Sequence, residues 1–186
     1  MALDRRESRM ASGPWDIEQV EHDNTRLDLG SILIPNQRHA DVRVELDVNT
    51  HQPTKVSVEL KESIVTIQAF AAPTREDLWP QIRDDIEREL AAQGVQSTIV
   101  MGKFGTEIRA VMPTIDFDGS NVVQSVRFLG FDGPRWFLRC VVTGAGAVDS
   151  KGAKEVDDFI AQLVVRRGET AMGPGEALQI SLPDEA

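Results

Sequence analysis

The sequence predicts an α+β domain, a largely antiparallel sheet of about six to eight strands with two helices packed on it, at about 77–93 and 151–162. Three observations predict it. Residues 122–143 form two long apolar runs folded about Asp132-Gly133-Pro134, with apolar side chains on both faces, so this sheet must be covered twice. Between 42 and 71, apolar and polar residues alternate with the period of half-buried strands. Leu78, Ile82, Ile86 and Leu90 then fall four apart, the narrow stripe of a helix laid on a sheet.

The chain opens with a polar stretch, 1–12, expected to be a disordered tail before a single domain over 13–186. Gly13-Pro14-Trp15-Asp16 signals a turn whose tryptophan pins the chain start to the core. Leu27, Leu29 and Ile32–Ile34 mark a short extended segment that Pro35 ends. Val42, Val44, Leu46 and Val48 alternate with Arg43, Glu45 and Asp47; after the turn at 49–53, Val56, Val58 and Leu60 do the same. A third strand, 64–71, follows the polar turn Lys61-Glu62-Ser63, which makes a meander.

Pro73 stops that strand. Pro80 is tolerated only in a first helical turn, so Asp77 is the expected N-cap, and Gly94 supplies the left-handed stop. Residues 95–101 and 103–112 are extended and parted at Gly102, 113–119 is a loop, and the long apolar pair follows. Gly144–Ser150 is a small-residue connector. The second helix turns Val156, Phe159 and Ile160 inward, and 163–165 is a last short strand before a Gly/Pro-rich, irregular end. Both halves share a strand, turn, strand, helix order, so an internal ββα pseudo-repeat, about 40–94 and 95–167, stays open beside coincidence of pattern.

Charge excludes several functions. Lysine and arginine total 20 against 30 acids, a net charge of −10, so the surface repels phosphate backbones and anionic lipids. The expected partners therefore include no nucleic acid and no membrane. Residues 1–10 have no apolar run of a signal peptide and nothing approaches the roughly 20 apolar residues of a membrane span, which points to the cytoplasm. The one cysteine, Cys140, sits inside an apolar strand, where a buried inert thiol is the ordinary outcome. His22, His39 and His51 lie in separate polar segments without metal-binding spacing, and no nucleophile elbow, P-loop or dinucleotide fingerprint occurs. No metal, no cofactor and no catalytic residue is called for, and the reading leans away from an enzyme.

Two candidate sites remain. In the long pair, Val123, Leu129, Phe131, Trp136, Leu138, Cys140 and Val142 share one face. The other bears Val122, Val126, Phe128, Phe137 and Val141, mixed with Arg135 and Arg139. Aromatics with arginine are favoured at interface centres, so Phe128, Arg135, Phe137 and Arg139 form the candidate protein-binding or homodimer surface. Arg127 has the parity of the apolar core face. A buried guanidinium is costly unless paired, so Arg127 is either ion-paired, with Glu107 a possible partner, or at a sheet edge, or else it waits in a pocket for a carboxylate or phosphate. In the last case Arg109 and Arg139 could join it as anion clamps.

Several phrases occur together: Gly13-Pro14-Trp15-Asp16, Leu27-Asp28-Leu29-Gly30-Ser31, Gln68-Ala69-Phe70-Ala71-Ala72-Pro73, Phe104-Gly105-Thr106-Glu107 and Asp132-Gly133-Pro134-Arg135-Trp136. Together they resemble an actinobacterial domain-of-unknown-function family, number 3710, over nearly the whole chain after the tail. The resemblance implies an actinobacterial cytoplasmic protein and carries over no activity and no catalytic residue. The sequence therefore leaves function open between a non-enzymatic binding or interaction module and a binder or enzyme for a phosphorylated metabolite or nucleotide. A chaperone-like role is a third direction with no motif behind it.

Overall fold

The computed structural model describes residues 12–22 and 24–183, so all but the last residue of the expected tail, 1–12, lies outside the described residues. The strands are β1 Trp15–Asp16, β2 Arg26–Asp28, β3 Ile32–Pro35, β4 Ala40–Leu46, β5 Pro53–Leu60 and β6 Ser63–Ala71. Then come helix α1 Trp79–Ala92 and strands β7 Ser97–Gly102, β8 Gly105–Ile115, β9 Asn121–Asp132 and β10 Trp136–Gly144. The short helix α2 Ala145–Val148, the helix α3 Ser150–Ile160 and β11 Val164–Val165 complete the order. This is the α+β architecture that the periodicity predicts.

Seven strands form one antiparallel sheet, ordered β4-β5-β6-β10-β9-β8-β7. A small sheet, β1-β11-β3-β2, lies apart from it, with only β1 and β11 parallel. Both apolar faces of the large sheet are covered, and each cover has its own core. On one face Val56, Val58, Val65, Ile67, Leu129, Leu138 and Cys140 pack with Phe159 and Ile160 of α3 and with Ile32 and Ile34 of β3. On the other, Ile108, Ala110 and Phe137 pack with Trp79 and Leu90 of α1. The irregular end is seated as well: Leu178 and Ile180 are buried in the first core, and their amides donate to Ala69 and Pro53.

Local chemistry sets the helix ends, and one end differs from expectation. The first turn of α1 is capped by Asp132 at the end of β9, not by Asp77; its carboxylate accepts from the amides of Leu78 (2.6 Å) and Trp79 (3.2 Å). A cap borrowed across the fold has no local sequence signature. At the other end Gly94, at φ +73°, lets the Val95 amide reach the Leu90 carbonyl and its own amide reach Ala91. Leu90 and Val95 then share the core under α1.

The chain also departs from the expected strand limits. The β7–β8 turn falls at Lys103-Phe104 instead of Gly102, and β8 runs through Pro113 to Ile115 where a loop was expected. Proline is tolerated there because β7 begins opposite Ala110, so Pro113 has a strand on one side only. The Gly144–Ser150 connector contains α2.

Candidate functional site

Glu107 and Arg109 of β8 and Arg127 of β9 share the sheet face that looks toward α3, with Arg109 and Arg127 directly opposite. Two guanidiniums at that spacing repel, and a carboxylate between them resolves the conflict. Glu107 Oε1 accepts from Arg109 Nε (3.0 Å) and Arg127 Nε (2.9 Å), and Oε2 accepts from Arg127 Nη2 (2.9 Å). Arg127 also donates from Nη2 to Asp157 of α3 (2.9 Å) and from Nη1 to the Gly146 carbonyl of α2 (3.0 Å).

The Arg127 and Glu107 side chains are 3% and 2% exposed. Burial works against the Arg127 charge, but the hydrogen bonds and attraction of Glu107, with Asp157 behind it, outweigh that and leave its pKa raised. Of the readings of Arg127, the structure shows the ion pair with Glu107. A cleft of about 530 Å³ opens above the cluster, lined among others by Lys103, Arg109, Arg127, Lys154, Asp157 and Asp158. Its charges answer one another: Lys103 and Lys154 both donate to Asp158, at 3.4 and 2.7 Å.

The face of mixed aromatics and arginines is not open. Phe137 is fully buried beneath Trp79, with ring centroids 6.3 Å apart, and Phe128 packs in the same core. The cover is α1, and it lies flat because position 130 is glycine; a Cβ there would stand 2.2 Å from Trp79 Cε3. Arg139 borders this core, donating to Gln68 (2.9 Å) with its guanidinium 5.5 Å from the Phe70 ring centroid. Burial lowers its pKa against the pull of Glu89. Arg135 is exposed in the β9–β10 turn at φ +63°. The four residues expected to form one surface are thus divided between core, rim and turn.

An exposed apolar surface lies at the other end of β9, where sequence reasoning did not look. The β8–β9 hairpin continues past the start of β7, and Pro113 pairs with Val123. Val111, Pro113, Ile115 and Val123 therefore share one face, and Val123 is 73% exposed although its parity is that of the core. Phe117 at the tip is fully exposed. No lysine or arginine occurs from Ala110 to Val126, while Asp116 and Asp118 sit in the tip turn, accepting from the amides of Phe117 and Ser120. The signal was this long run without lysine or arginine, which covered strands and uncovered strands share.

Residues 13–186 match the family described as a protein of unknown function, DUF3710. The chain belongs to this family. No curated protein matches it. A crystal structure from Bacteroides thetaiotaomicron VPI-5482 is similar over 75% of this chain and 47% of its own, at 16% identity and a TM-score of 0.42. The chain thus spans about half the length of that protein.

In this member of DUF3710, among the described residues, no group of three or more His, Cys, Asp or Glu stands where it could hold a metal ion. No helix among them is long and apolar enough to cross a membrane. Cys140 is completely buried, and burial pushes its thiol pKa up despite the nearby Arg127 and Arg139.

Proposed function

We propose that the chain is a protein-interaction module whose β8–β9 hairpin docks on a partner segment that is apolar and flanked by basic residues. One observation carries this: the outer half of the hairpin presents Val111, Ile115, Phe117 and Val123 to solvent with carboxylates at its tip and no cation. Isolated proteins seldom leave such a row uncovered. Each of these side chains, if fully buried, is worth about 1.5–3 kcal/mol. Asp116, Asp118 and a net charge of −10 select a basic neighbour and disfavour a second copy at this point. The reading keeps the interaction module expected from sequence. It moves the surface away from Phe128, Arg135, Phe137 and Arg139 to the far end of β9. The rival reading, an anion held by Arg127 and Arg109, is weakened because Arg127 spends its donors on Glu107, Asp157 and Gly146.

The test is site-specific photo-crosslinking in native cells, with the crosslinker at Phe117 or Val123 and at Arg43 on β4 as control. The expected result is one protein captured at Phe117 and Val123, through an apolar, lysine- or arginine-bearing peptide. Its binding should weaken with salt and be lost in Phe117→Asp. Capture no stronger than at Arg43, or a partner indifferent to Phe117→Asp, overturns the proposal.

A further inference from the structure

The two edges of the large sheet are treated in opposite ways. An edge strand offers unpaired amides and carbonyls to any strand that approaches, and charged side chains are the ordinary protection. β4 has that protection: Asp41, Arg43 and Glu45 alternate along it, and Arg43 reaches Asp41 (2.8 Å) and Glu59 of β5 (3.7 Å). β7, the opposite edge, reads Ser-Thr-Ile-Val-Met-Gly, with no charge and no proline. Ile99 and Met101 are 40% and 76% exposed and share the face that carries α1.

From this we infer that β7 pairs antiparallel with β7 of a second copy about a two-fold axis, joining two seven-stranded sheets into one. The spacing of the exposed residues fits a second copy. With Val100 set opposite its own counterpart, Ile99 of each chain falls opposite Met101 of the other. Thr98 then falls opposite Gly102. One register thus gathers all four exposed apolar side chains on one face, the self-complementarity that a two-fold contact requires. An acidic molecule repels its own copy over most of its surface, and this uncharged strand is where that repulsion is least. The groove between α1 and the start of β7 carries Arg88 beside Asp84 and Glu87, so this border of the edge is not acidic throughout. A seam of one six-residue strand is small beside the interfaces of obligate dimers, so the association is expected to be reversible and to depend on concentration. The inference rests on β7 alone; the hairpin beyond Ala110 can fail as a docking surface without affecting it.

Sedimentation and light scattering across a dilution series test it. The full chain is expected to move from 20.6 kDa to twice that mass between about 1 and 100 µM. Thr98→Lys with Met101→Lys should weaken association about 100-fold, by placing like charges along the seam. Both residues are exposed in the single chain, so its fold and circular dichroism should not change. Val100→Cys should form a disulfide between copies under mild oxidation, since directly opposed antiparallel residues lie within disulfide reach; the buried Cys140 does not compete. A chain that stays monomeric at 100 µM, a dimer that survives both lysines, or Val100→Cys that fails to cross-link overturns the inference. A dimer abolished by Phe117→Asp and not by the lysines would place self-association on the hairpin and also overturn it.

Discussion

Arg127 of β9 and Glu107 of β8 meet through two parallel hydrogen bonds of 2.9 Å, with almost no solvent on either side chain. Glu107→Gln removes the carboxylate charge that Arg127 and Arg109 share, while Arg127 keeps Asp157 and the Gly146 carbonyl. It should therefore cost about 1.5–3 kcal/mol in urea unfolding. Arg127→Met with Glu107→Leu should cost less than Arg127→Met and Glu107→Leu added together, because the double change leaves neither charge of the pair behind. A Glu107→Gln variant within about 0.5 kcal/mol of wild type would show that the charge of Glu107 contributes little to stability.

Gly130 and Trp79 are matched in shape. Gly130→Ala would put a methyl group 2.2 Å from Trp79 Cε3 and 2.9 Å from Phe137 Cζ, and Trp79 is buried in the core under α1. The expected cost is about 1–3 kcal/mol, with a changed tryptophan emission spectrum. In the background of Trp79→Leu the same change should cost much less, since the ring that it strikes is gone. Equal cost in both backgrounds would place the strain elsewhere.

These two pairs also mark what the sequence could and could not reveal. Alternation at Val56, Val58 and Leu60, and the four-residue spacing of Ile82, Ile86 and Leu90, report one face of one element, and both were legible. The parity of Arg127 was legible too, and it demanded a partner. What covers Phe137 was not, because the two faces of β10 are equally apolar and only the path of the chain sends α1 to one and α3 to the other. Gly102 looked like a turn. Its structural need is room for Glu107, whose Oε2 would lie 2.4 Å from a Cβ there. Val123 has the pattern of a core residue, and no element among the described residues covers it. Periodicity records which way a side chain points and not whether anything stands in front of it.

Asp28 and Arg166 tie β2 to the segment after β11 through a fork of two 2.9 Å hydrogen bonds. The Arg166 hydrogen bonds come first among the causes that hold the Asp28 carboxyl below its ordinary 3.8. A lowered carboxylate pKa means stability that is present above about pH 4 and lost as pH falls through the folded-state value. Asp28→Asn should flatten the fall in stability below pH 4 and leave the slope between pH 5 and 8 unchanged. Both side chains are partly in water, so the difference should stay below about 1 kcal/mol. A change in slope near neutrality would assign the effect to another group.

Cys140 offers a reading of how the whole sheet opens. It stands in β10 with Ile67 of β6 and Leu129 of β9 directly opposite on either side, and it has no solvent exposure. A disulfide reagent needs both access and a thiolate, and burial denies both by raising the thiol pKa. Local fraying cannot expose the centre of a seven-stranded sheet, so labelling must await separation of β10 from β6 or β9. Native protein should therefore react with Ellman's reagent at least about a thousand-fold more slowly than urea-unfolded protein. The rate should climb with urea along the global unfolding curve. Rapid reaction under native conditions, insensitive to low urea, would mean that the β6–β10 seam opens independently of the rest of the sheet. That seam joins the β4–β6 meander to the β7–β10 meander, so such a result would divide the sheet into two cooperative units at that line.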